Sequence, residues 1–261
     1  MDRRFLLQPE VVESAKKFVC IRLTSYEDES EKAFVSKFHR GEVSNTAFAL
    51  LTPEGTLALR GRGPGRGPMD LFQDSAGMAK GMDSLAANYT PKKSEGVPAL
   101  PVTLTPKIGM VVAASDNLPL ILVVASDPKK IAELEAKVAV QAWSKEFAGR
   151  CTYATAAGAK DIPKLKGKTI IEGVMLIEPD IFGAAGDVVG EVPGNQISGK
   201  LSEAMETTLR KHVPVAKSRG EMARKGYDQD IFYETNIDVS GRGEAADRER
   251  YHQLLLQKKK K

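Results

Sequence analysis

The sequence predicts an α/β protein with two mixed β-sheets, each flanked by helices, and a C-terminal extension. Three observations carry this expectation. Leu118–Ala125 ("LPLILVVA") is an apolar run with the length of a buried strand. It leads through Ser126-Asp127-Pro128 into apolar residues at helical spacing, the pattern of a strand followed by a capped helix with proline in its first turn. Two stretches, "NTAFALLTPEGTLALRGRGP" and "EGVMLIEPDIFGAAGDVVGEVP", share one order of strand, turn, strand and glycine–proline exit, as copies of one unit would.

Taken in order, Arg4–Lys17 has helical spacing that Pro9 divides, since proline suits the first position of a new helix. Phe18–Leu23 ("FVCIRL") is β-branched and aromatic and is expected to be a strand. Glu29–Phe38 returns to helical spacing. Thr46–Leu51 and Thr56–Leu59 form a hairpin around Pro53-Glu54-Gly55, and Arg60–Gly67 is a loop. Met69–Tyr89 is a helix weakened by Gly77 and Gly81. Residues 1–90 make a first domain and the proline-rich stretch 91–106 a linker.

The second domain is expected over 107–213. Lys107–Asn117 is small and apolar and fits either a helix or a strand, a short helix being favoured; Leu118–Ala125 is a strand, and the helix from Pro128 runs to Phe147, ending at Gly149. Cys151–Ala156 is a strand and Asp161–Lys168 a basic connection. Gly173–Ile177 and Asp187–Gly190 form the second hairpin, and Ser198–His212 an amphipathic helix. Residues 214–261 are an extension ending in the basic tail Lys258–Lys261, with a charged helix over Glu244–Lys261.

Composition narrows the function classes. The chain has 261 residues, 42% of them hydrophobic and 28% charged, as in a soluble globular protein of about two domains. No apolar run reaches the roughly 20 residues of a membrane span. The net charge of +4 equals the charge of the four terminal lysines, so a nucleic-acid partner is not expected. Cys20 and Cys151 are the two cysteines, too few for a disulfide framework and too far apart for a C-x-x-C pair. The start lacks the apolar core of a signal peptide, which reads as cytoplasmic.

The repeated order β-α-β followed by β-β-α resembles the thioredoxin fold. In that family an apolar strand runs into a C-x-x-C motif at a helix N-terminus, whose free N–H groups favour the thiolate. A cis-proline opens the later hairpin and faces the sulfurs. Here "LPLILVVASDPKKIAELEAKV" follows the pattern, but Ala125-Ser126-Asp127-Pro128 stands at the dithiol position. Gly173-Val174 stands where the family has cis-Pro-Thr, and Asn45-Thr46 opens the first hairpin. The first copy lacks its leading strand, as though Met1 were an internal methionine of a product that starts upstream. An in-frame selenocysteine codon read as a stop would give such a chain, as would a misplaced start or a natural loss, and a start lying upstream would allow a periplasmic or secreted location.

The resemblance implies a non-catalytic thioredoxin-like module that holds an extended protein segment at Asn45, Thr46, Gly173 and Val174. The alternative is a thiol or selenol–disulfide oxidoreductase whose reacting pair precedes Met1. No catalytic, cofactor-binding or metal-ligating residue is assigned. Cys20 reads as a buried strand residue, and Cys151 as a core thiol with a neighbouring arginine. His39, His212 and His252 have no metal spacing, and His212 suits the C-terminal turn of a helix. The tract Arg60–Gly67 lacks aromatics for base stacking, and Gly183–Gly190 precedes a strand rather than a helix.

Overall fold

A computed structural model describes residues 2–21, 23, 28–38, 47–59, 67–90, 96–162, 164–167, 169–215, 218–229 and 231. The chain divides at Lys92 and Lys93 into two compact units. It is mixed α/β, and among the described residues there is one five-stranded sheet, which belongs wholly to the second unit.

In the first unit a π-helical turn (Asp2–Leu6) precedes α1 (Pro9–Ala15), α2 (Glu29–Ser36) and α3 (Ser75–Ala86). Asp28 caps α2 by accepting from the N–H groups of Ser30 and Glu31, and Asp74 caps α3 through Gly77. Helix α3 is shorter than expected, because Pro68–Asp70 forms a separate 3₁₀ turn before the Asp74 cap. The unit's core gathers Phe5, Val11, Leu50, Met78, Ala79 and Met82. Lys17 Nζ lies 2.9 Å from Asp83 Oδ1, the Ser75 hydroxyl donates to Glu10 over 2.5 Å, and the Ser14 hydroxyl donates to Ala79 O over 3.3 Å, so polar contacts join α1 and its end to α3.

The expected strand at residues 18–23 is corrected. Among its described residues none joins a sheet, and Cys20 is exposed rather than buried. Phe18 packs on the core, but Val19 and Ile21 are 74% and 71% exposed. A strand needs a neighbour for its main-chain groups, and intrinsic propensity does not supply one. The first hairpin survives as a single antiparallel bridge, Leu51 to Leu57, around the expected turn at Gly55. Residues 39–46, including Asn45 and Thr46, and residues 60–66 lie outside the described residues, as does the stretch 232–261 expected to carry the last helix.

In the second unit the elements are α4 (Pro106–Asp116), β1 (Leu120–Val124), α5 (Pro128–Ala142), β2 (Thr152–Ala156), β3 (Lys164–Lys166), β4 (Gly173–Pro179), β5 (Ala185–Pro193), α6 (Ile197–Lys211) and α7 (Arg219–Asp228). The strand order is β2-β1-β4-β5-β3. β1 runs parallel to β2 and antiparallel to β4, β4 is antiparallel to β5, and β3 is parallel to β5. Strand β3 falls in the expected basic connection, and helix α7 in the expected C-terminal extension. Three residues long, β3 has too little sequence to show a period.

The sheet's alternation explains its layers. Ile121, Val123, Val174 and Leu176 point into one core with Leu134 and Val138 of α5 and Leu201 and Met205 of α6. Leu120, Leu122, Val124, Met175 and Ile177 point into the other, with Met110 and Ala113 of α4. All five residues of β1 are buried, the arrangement that a continuous apolar run demands. Helix α5 stops at Ala142, before the expected Phe147, because the chain turns back there. The Trp143 indole N–H donates to Ala99 O, and Phe147 enters the core from the turn.

One position fixes the entry to β4. Gly173 has φ +141°, and a Cβ there would lie 2.3 Å from Val192 O. Gly173→Ala is therefore expected to cost on the order of 3 kcal/mol, read as a lower urea midpoint, because strain and backbone collision add. In the first unit, the hydrogen bond from Ser75 lowers Glu10, and those from Lys17 and Ser14 lower Asp83, below ordinary carboxylate values. A lowered folded-state value means stabilisation that is present above the unfolded value and lost as pH falls through the folded one. Acid unfolding of this unit below about pH 4 is thus expected to have a shallower stability loss in Asp83→Asn than in wild type, followed by circular dichroism.

Candidate functional site

The strand directions bring three chain segments to one end of the sheet. β1 and β5 are both antiparallel to β4, so α5 and α6 begin at the end where β4 starts. The register sets Val124, the last residue of β1, beside Gly173, the first of β4. Ser126, Asp127, Pro128, Lys129 and Lys130 are exposed on one side of this junction. On the other, Ile171 is 91% exposed and has no main-chain hydrogen bond among the described residues.

An ion pair closes the junction. Lys130 Nζ lies 2.6 Å from Glu172 Oε2, and Glu172 raises the lysine above its ordinary value. The Gly194 N–H donates to Glu172 O over 3.3 Å, tying the turn that leads into α6 to the same residue. Asp127 Oδ1 accepts from the Lys129 N–H over 2.9 Å, so a carboxylate already uses the first turn of α5. The expected binding residues occupy this junction unequally. Gly173 and Val174 open β4, but both are buried and bracketed by β1 and β5, and the accessible group is their neighbour Ile171. Sequence reasoning passed over Ile171 and Glu172, whose only signal was an apolar–acidic pair just before the hairpin.

Neither thiol resembles a nucleophile. Cys151 is 7% exposed, and burial pushes its thiol up to about 12, outweighing the opposing effects of Tyr153 and Arg150. The adjacent Tyr153 hydroxyl is raised too, first by burial and then by Cys151. Cys20 is an exposed residue, yet its sulfur lies 3.8 Å from Ala15 O and partial desolvation raises it.

His212 is fully occupied. Its Nδ1 lies 2.8 and 3.0 Å from the two Glu178 oxygens, and its Nε2 lies 2.7 Å from Asn117 O. Both ring nitrogens are thus engaged within the fold, and neither is left for a metal or a substrate. Asn117 is the left-handed cap of α4 (φ 54°), and His212 caps α6, so the ring ties two helix ends to β4. Among the described residues no group of His, Cys, Asp and Glu could hold a metal ion, and no helix is long and apolar enough to cross a membrane.

Two further features have structural explanations. Gly194–Lys200 spells G-x-x-x-x-G-K, the pattern of a phosphate loop. The chain instead makes a 3₁₀ turn at Gly194–Gln196 and enters α6 at Ile197, and a buried leucine, Leu201, stands in the Ser/Thr position. A shallow groove of about 220 Å³ between β5 and α6 mixes Val189 and Gly190 with Lys200, Glu203 and Thr207. No nucleophile or base pair is arranged in it.

No family model, curated protein or solved structure matches the chain.

Native protein treated with a thiol reagent is expected to label at Cys20 only, with Cys151 reacting after denaturation; peptide mass mapping distinguishes the two. His212→Ala is expected to destabilise the second unit by about 2 kcal/mol, because it strands a carboxylate and a carbonyl that the ring satisfied. Urea unfolding with an unchanged m-value would show that loss as a lower midpoint.

Proposed function

We propose that the second unit is a thioredoxin-like binding module without redox chemistry, and that it holds an extended segment of a protein partner. Its strand order, the crossover through α5 and the closing helix α6 support the thioredoxin-like reading. For the first unit the support is narrower, resting on the Leu51–Leu57 bridge and the helix that follows it.

The observation that carries the function is Ile171. Its main-chain N–H and C=O are without hydrogen bonds among the described residues, and its side chain is 91% exposed at the mouth of the β1–β4 junction. An extended segment can pair with that main chain and cover that side chain, the mode in which backbone hydrogen bonds give affinity and side chains give selectivity. Redox catalysis would need a low-pKa thiol at the start of α5, where Ser126, Asp127 and Pro128 stand instead. Cys20 and Cys151 lie in different units and lend no support to a thiol or selenol oxidoreductase.

The test is selection of peptides against the full chain, followed by two-dimensional amide NMR with the selected peptide. The expected shifts centre on residues 126–130 and 171–174, and Ile171→Asp should weaken binding about tenfold while leaving the fold intact. Shifts confined to other surfaces, unchanged affinity in the variant, or sustained reduction of insulin disulfides would each overturn the proposal.

A further inference from the structure

We draw no further inference here: the strongest candidate, the exposed extended run at residues 19–21 around the Cys20 thiol in the first unit, is an unpartnered apolar surface, and nothing in the structure shows what covers it.

Discussion

The second unit depends on one constraint: β1 must be paired along both edges and covered on both faces. Leu120–Val124 has no polar side chain to offer water, and its main-chain groups have to be satisfied inside the sheet. β2 and β4 meet that requirement along the edges, with α5 and α6 on one face and α4 on the other. Since β2 is parallel to β1, the connection must return to the starting end, which α5 does. The junction at the end of β1 follows from this arrangement. A central strand that stops there leaves its C-terminal loop, a helix start and the first residue of β4 side by side.

Local signals and long-range ones separate clearly in this chain. The strand β1, the cap at Asp127 and the helix α5 are legible because each rests on residues within a few positions of one another. The alternation of β4 is legible for the same reason. Residues 18–23 mislead because their β-branched composition describes what a strand would be made of, not whether a second strand is present to pair with it. The end of α5 was misplaced because the pull on Phe147 is tertiary: the core draws it in from a turn, while Trp143 is held by Ala99. The site is the least legible part. Lys130 and Glu172 are 42 positions apart, and His212 and Asn117 are 95 apart, separations at which no motif links them.

The electrostatics at the start of α5 bear on the proposal of binding without redox catalysis. A helix N-terminus can stabilise one anion well, through amides that have no partner within the helix. Where a thiol occupies that position, the amides lower its pKa and make it reactive. Here Asp127 accepts from one of those amides, and proline at the next position supplies no N–H at all. The stabilisation is spent on holding the helix end. This accords with the proposal of a binding surface without a thiolate.

An exposed isoleucine has its own hazard, since an open apolar residue whose main chain makes no hydrogen bond among the described residues invites pairing with a passing strand. The residue after Ile171 answers it. Glu172 is charged, half-exposed and tethered to Lys130, so a strand approaching the junction meets an ion pair beside the apolar side chain. Flanking charge of this kind discourages unspecific edge pairing while leaving the main chain accessible. On the proposed reading, a partner would have to match both the apolar contact and the adjacent charges, and selectivity would reside in that pairing of Ile171 with Glu172 rather than in either residue by itself.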